Sequence, residues 1–195
     1  MGKIFCVMGK SASGKDTIYS RLLENEKLSL KRIVPYTTRP MRDGEEDGKT
    51  YHFCDEAKVQ KLDEMGKIIE LREYNTVYGI WKYFTVDDGQ IDLAKGNYLL
   101  IGTLETYTKV VKYFGQDKVL PIYIEVEDGE RLIRAIDREK QQKEPKYEEM
   151  CRRFLADASD FSEENLKKAG VSRRFENREL VNTIQEIEEY VSENK

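Results

Sequence analysis

His52 is the only histidine in 195 residues, which excludes a catalytic triad built on histidine and a multi-histidine metal site. Cys6, Cys54 and Cys151 are scattered, with no C-x-x-C pair and no metal-ligand spacing. Cys6 sits in an apolar run, where a thiol packs as a small hydrophobe. A disulfide framework is therefore excluded, and a reduced cytoplasmic compartment is expected. No apolar run reaches the ~18 residues of a membrane-spanning helix, and the short apolar start after Lys3 is too brief for a signal peptide. A soluble protein without a membrane partner is expected. The formal net charge of -4 gives no basic surface for nucleic acid, although local arginine clusters can still bind phosphates. Internal repeats and low-complexity linkers are also missing. The length suits one domain with mobile subdomains.

What is present begins with a glycine-rich loop, Gly9-Lys10-Ser11-Ala12-Ser13-Gly14-Lys15-Asp16-Thr17, directly after the apolar run Ile4–Met8. Gly9, Gly14 and Lys15 satisfy G-x-x-x-x-G-K, with Asp16 at the usual Ser/Thr position and Thr17 one residue later. Glycines let such a loop turn sharply and bring backbone N–H groups against phosphate oxygens, while the following helix points its positive end at the anion. Gly9, Ser11, Ala12, Ser13, Gly14, Lys15, Asp16 and Thr17 are thus candidate nucleotide-binding residues, with Lys15 reaching the β- and γ-phosphates. A plain surface turn between strand and helix is the alternative.

Further along, Leu30 to Tyr36 reads as a second strand ended by Pro35. The following segment, Thr37 to Phe53, is rich in Gly, Pro and charge and reads as a functional loop. There Arg39 and Arg42 flank a proline, so their forks can converge on one anion, although arginines on polar loops are also commonly solvated. Asp55 to Gly66 has a helix cap and helical spacing. Ile68 to Tyr74 and Trp81 to Val86 read as paired strands, and Gln90 to Lys95 as a short helix stopped by Gly96. Asn97 to Gly102 and Val119 to Val126 read as buried strands, with a helix over Glu105 to Phe114 between them. Gly129 to Lys168 reads as two helices with a mobile connection around Gln141 to Pro145. A strand near Val171 to Phe175 and an amphipathic helix carrying Leu180, Ile184, Ile187 and Val191 close the chain. Strands alternating with helices after a phosphate loop predict a three-layer α/β P-loop fold, with a parallel sheet and a ligand crevice at the strand C-termini.

The order of motifs resembles the guanylate kinase family over nearly the whole chain. Beyond the phosphate loop, Tyr36-Thr37-Thr38-Arg39-Pro40-Met41-Arg42-Asp43-Gly44-Glu45 is similar to its T-T-R-x-x-R-x-G-E segment, and Asp47-Gly48-Lys49-Thr50-Tyr51-His52-Phe53 to its G-x-x-Y-x-F continuation. The resemblance implies ATP-dependent phosphorylation of GMP to GDP with Mg2+, within purine nucleotide metabolism. It implies a core of residues 1–35, 96–133 and 154–195, an acceptor lobe over 36–95 and a helical lid over 134–153. Arg39, Arg42, Tyr51 and Tyr78 would hold the GMP phosphate, and Glu70 would accept hydrogen bonds from the guanine edge. Glu70 as an outward-facing strand residue is the alternative. Lid arginines fall on or near Arg138 and Arg153, Asn177 matches an asparagine near the adenine, and Lys15, Arg42, Arg138 and Arg153 form the implied catalytic set.

The chain also departs from the family pattern. Pro35 and Ile80 stand where hydroxyls usually contact the base, and Ile101-Gly102-Thr103 where aspartates usually lie near the phosphates and magnesium. Asp16 adds one carboxylate on the opposite wall. It is expected either to take over metal positioning, with Thr17 as the nearby hydroxyl, or only to favour the helix start electrostatically. Two further readings remain: a binding module of the same fold without catalysis, and a kinase for another small phosphorylated acceptor. A monomer or homodimer is expected.

Overall fold

The computed structural model describes residues 1–76 and 79–195. Its strands are β1 (Ile4–Met8), β2 (Leu30–Arg32), β3 (Tyr36–Thr37), β4 (His52–Phe53), β5 (Ile68–Thr76), β6 (Gly79–Val86), β7 (Asn97–Ile101), β8 (Val119–Glu125) and β9 (Arg174–Glu176). The helices are α1 (Lys15–Glu24), α2 (Glu56–Glu64), α3 (Leu104–Phe114), α4 (Asp128–Lys140), α5 (Tyr147–Asp160), α6 (Glu163–Lys168) and α7 (Leu180–Asn194).

Strand β1 is buried throughout and alternates between two cores: Ile4, Cys6 and Met8 enter one, Phe5 and Val7 the other. Apolar cover on both faces suits the centre of a parallel sheet. Accordingly β1 lies third in a five-stranded sheet of order β2-β7-β1-β8-β9, every pair parallel. The first core is covered by Tyr107 and Val110 of α3 and Leu166 of α6, the second by Ile18 and Leu22 of α1 and Ile187 and Val191 of α7. The expected three layers result. Val7 pairs with Ile101 and Met8 with Tyr123, so the loops after β1, β7 and β8 leave from one sheet edge.

A second sheet, β4-β3-β6-β5, carries the segment between β2 and β7. It packs Phe84 and Val86 under Val59 and Leu62 of α2, whose start is capped by Asp55. Ile69 packs instead against the main core, and Lys109 of α3 donates to the Leu71 carbonyl at 2.8 Å. The segment between β2 and β7 is thus tied to the body through β5.

Three sequence expectations change. The single strand over Leu30 to Tyr36 is two: β2 joins the main sheet, whereas β3 joins the second, and between them Pro35 offers only its carbonyl, which accepts from His52 N–H at 2.8 Å. Gln90 to Lys95 forms no helix. There the Asp88 and Asp92 carboxylates take the N–H groups of Gln90 and Ala94, each at 3.0 Å, and such local bonds compete with a helical ladder. The tract from Gly129 to Lys168 holds three helices, because Phe161 turns inward to stack on Tyr123 at 5.5 Å and Ser162 then caps α6.

Among the described residues no helix is long and apolar enough to cross a membrane. Phe161 is 5 % exposed, so Phe161→Ala is expected to destabilise the fold by about 3–5 kcal/mol. Urea unfolding checks this, and a loss under ~1 kcal/mol would show that the break between α5 and α6 does not depend on that ring.

Candidate functional site: a phosphate loop, an arginine-bearing lobe and two helices

The loop after β1 has little room and much local strain. A Cβ on Gly9 would lie 2.6 Å from the Ile124 carbonyl oxygen and 2.8 Å from Ser13 Oγ. Gly14 caps α1 at φ 84°, and Ala12 holds φ 62°, a left-handed conformation that costs an L-residue roughly 1–2 kcal/mol. Such strain collects where a binding geometry is held by its surroundings. Ser13 Oγ, buried in the loop, has no hydrogen-bond partner among the described residues.

Three distant side chains hold the loop. Asn177, after β9, donates Nδ2 to the Ser13 carbonyl at 2.8 Å. Arg131 of α4 donates Nη1 to the Ser11 carbonyl at 2.9 Å, and Asp157 of α5 accepts the Ser11 N–H at 2.6 Å. The first-turn N–H groups of α1 have no intrahelical acceptor by geometry, and they are the natural anion seat. Lys15 Nζ lies 3.5 Å from the carboxylate of Asp16, whose side chain is 83 % exposed.

Gly9 and Ser11 to Thr17 lie together in the loop and the first turn of α1, and two of the groups there are already engaged. The Ser11 N–H is already occupied by Asp157, and the Asn177 amide is spent on the loop backbone. Beside Asn177 opens a cleft of about 530 Å³ lined by Val126, Glu127, Glu130, Arg134 and Arg178. At the end of β7, Thr103 caps α3 by accepting the Thr106 N–H at 3.2 Å, and Gly102 packs closely on Thr106. Those two positions therefore serve the start of α3.

In the lobe, Arg39 and Arg42 do not form an open pair of forks. Both terminal nitrogens of Arg39 bind Glu45 at 2.7 Å, and the same carboxylate accepts the Arg42 backbone N–H at 2.7 Å, leaving the Arg42 side chain exposed. The Arg39 guanidinium also covers the rings of Tyr51 and Phe53 at 5.3 and 5.5 Å. Paired with Arg39, the Glu45 carboxyl is held down at about 2, below its ordinary 4.5. Glu70 is buried, not outward-facing: Thr85 Oγ1 donates to it at 2.8 Å and Arg72 Nε at 3.1 Å. Tyr78 lies outside the described residues.

On the helical side, Arg138 is exposed in the last turn of α4, while Arg153 of α5 binds Glu149 at 2.8 Å. Arg152 shares that carboxylate and, with Arg153, holds it down at about 2. Sequence reasoning missed Glu45, Arg72, Arg131 and Asp157 as site residues. Glu45 was visible within the quoted motif. Arg131 and Asp157 sit in charged helical tracts, where nothing marks one charge as buried.

A strained glycine loop at the C-terminal edge of a parallel sheet defines a nucleotide-phosphate-binding α/β protein. The family model for guanylate kinase matches residues 1–193, and the chain belongs to that family. The guanylate kinase of Chlorobium chlorochromatii is 32% identical over 136 residues, 69% of each chain. That of Aliivibrio fischeri is 37% identical over 93 residues, so the match spans 45% of that protein's length. The crystal structure of guanylate kinase from Anaplasma phagocytophilum superposes with a TM-score of 0.69 at 23% identity, covering 99% of this chain and 86% of that one. At that identity the superposition speaks for the fold.

A depressed carboxylate stabilises above its unfolded value, and the contribution fades as pH falls through the folded one. Glu45→Gln is therefore expected to lower the melting temperature by a constant amount near neutrality. The gap to the parent should close as pH falls from 4.5 to about 2. A pH-independent gap across that window would show that the Arg39–Glu45 pair does not titrate as a unit.

Proposed function

We propose that this protein transfers the γ-phosphoryl of ATP to GMP, giving GDP. The observation that carries the reading is the placement of Lys15 and the open first-turn N–H groups of α1 at the sheet edge, with a lobe that prearranges Arg39, Tyr51 and Glu70. In this reading Arg39, Arg42, Tyr51 and Tyr78 take the acceptor phosphate. Glu70 takes the guanine N–H groups, since an ionised carboxylate has about four lone-pair positions and only two are engaged. The ATP base lies in the cleft beside Asn177. Residues 36–95 act as the acceptor lobe, and residues 134–153 as a lid that brings Arg138 and Arg153 toward the transferred phosphoryl. We place the protein in the cytoplasm, in purine nucleotide metabolism, as a monomer or homodimer.

The chemistry is mainly positioning and charge neutralisation. Lys15 offsets charge on the transferred group, Arg42 and the lid arginines add to it on closure, and closure excludes water. Asp16 and Thr17 supply hard oxygen donors beside the loop, a set that fits magnesium, which uses one or two carboxylates with substrate phosphates. When bound, Mg2+ would neutralise charge on the β- and γ-phosphate oxygens.

Lys15→Ala should lower kcat by about 100-fold or more, since removing one preorganised charge partner is worth roughly 3 kcal/mol. A coupled ADP-release assay over GMP, dGMP, AMP, CMP and UMP measures this. Tight GMP binding by the parent with no transfer to any of them would favour a binding module, and transfer to another acceptor would move the specificity instead. Asp16→Ser is expected to change the magnesium concentration for half-maximal activity while GMP affinity holds. An unaltered magnesium dependence with only a small loss in melting temperature would reduce Asp16 to an electrostatic helix-start residue.

A further inference from the structure

Four charged side chains, Lys10 of the loop itself and Asp128, Arg131 and Asp157 of α4 and α5, converge on the outer turn of the phosphate loop. Arg131, 1 % exposed, binds Asp128 at 2.7 and 3.1 Å, lies 3.7 Å from Asp157 and covers the Phe154 ring at 4.7 Å. Lys10 of the loop binds Asp128 at 3.2 Å. Two cations and two carboxylates balance, so the cluster adds no net charge where ATP phosphates would lie. Its effect on the loop is mechanical. Arg131 holds the Ser11 carbonyl and Asp157 the Ser11 N–H, so both backbone groups of one loop residue are fixed by two different helices. A hydrogen bond to an ionised acceptor at 2.6 Å is among the stronger fixings available to a loop.

The same bond fixes α5. Glu149, Arg153 and Asp157 follow at four-residue intervals on that helix and share one face. With Asp157 seated on the loop, Arg153 stands about 6 Å further along the axis on the face that touches it. We propose that Asp157 is a positioning residue: its carboxylate, steadied by Arg131, locks the phosphate loop and registers the Arg153 face of α5 against it. Arg153 would act on the phosphoryl, and Asp157 acts through Arg153 and the loop. This inference rests on the phosphoryl-transfer reading above.

The test uses the full chain and three variants, Asp157→Ala, Asp157→Asn and Asp157→Glu. It combines steady-state kinetics with GMP, calorimetric Mg-ATP binding without acceptor, and melting temperature. Asp157→Ala should lower kcat by about 10- to 100-fold with little change in KM for GMP, because ångström misplacements cost rates of that order. Its Mg-ATP affinity should fall several-fold. Asp157→Asn keeps an oxygen acceptor for Ser11 N–H and should recover most of both losses. Asp157→Glu keeps the charge but shifts it by a methylene, so it should melt near the parent while losing kcat, which preserves the test if the alanine variant does not fold. A lower melting temperature with unchanged kcat and Mg-ATP affinity would overturn the proposal, as would an asparagine variant no better than alanine. A rise in Mg-ATP affinity on removing the carboxylate would overturn it too, by showing that Asp157 competes with phosphate. If the parent phosphorylates no nucleotide, the functional reading fails, while the Mg-ATP affinities of the variants still decide whether Asp157 locks the loop.

Discussion

The geometry around the phosphate loop depends on leaving the first N–H groups of α1 without a side-chain cap among the described residues. Helix geometry leaves those donors without partners, and water or a side chain would ordinarily take them. Gly14 enters the helix at φ 84° with no side-chain cap, so the chain itself does not cover them. That arrangement requires a left-handed Ala12, a Gly9 pressed against β8 and an orphaned Ser13 hydroxyl. An unsatisfied buried hydroxyl alone costs on the order of 1–3 kcal/mol. The offset comes from β1, whose five residues are fully buried between two cores.

The second constraint is the handling of charge. The lobe carries Arg39 against Glu45 and a buried Glu70 between Arg72 and Thr85. Buried pairs of this kind add little net stability, because desolvation offsets the attraction, yet removal of one partner is strongly destabilising. Their use is geometric. Glu45 fixes the Arg39 fork and the Arg42 backbone with one carboxylate, so that part of the lobe is ordered by its own contacts. On the helical side Arg138 is exposed and, among the described residues, Arg153 is held by Glu149 of its own helix, a pairing worth a few tenths of a kcal/mol. The Arg39 fork is therefore fixed in advance, whereas the Arg138 and Arg153 side chains are weakly held.

The sequence was legible wherever local chemistry decided the outcome. Buried strands such as β1 and β7, the Asp55 cap and the glycine loop each carry their signal within a few residues. The misread segments were those where tertiary demands overrode local pattern. Leu30 to Tyr36 alternates acceptably as one strand, but its two ends are claimed by different sheets. Gln90 to Lys95 has helix-forming residues, yet two aspartates hold its backbone. The break at Phe161 follows from a stacking partner 38 positions earlier in the chain, Tyr123. Arg131 and Asp157 were hidden for a related reason: an amphipathic charged helix shows which faces are polar, and burial of one charge depends on what packs there.

The loop contains two lysines, and their partners separate their roles. Lys10 lies within a network in which Asp128 is shared with the buried Arg131, whose guanidinium holds the same carboxylate at 2.7 Å. Among the described residues Lys15 forms an ion pair with Asp16 alone, whose side chain is 83 % exposed, across 3.5 Å. Solvent-exposed pairs of that sort contribute roughly 0–1 kcal/mol. A polyphosphate seated on the α1 N–H groups would bring far more negative charge to Lys15 than Asp16 does, so the exchange of partners is downhill. On that argument Lys15 is the lysine a phosphate would recruit, and Lys10 belongs to the framework beside it.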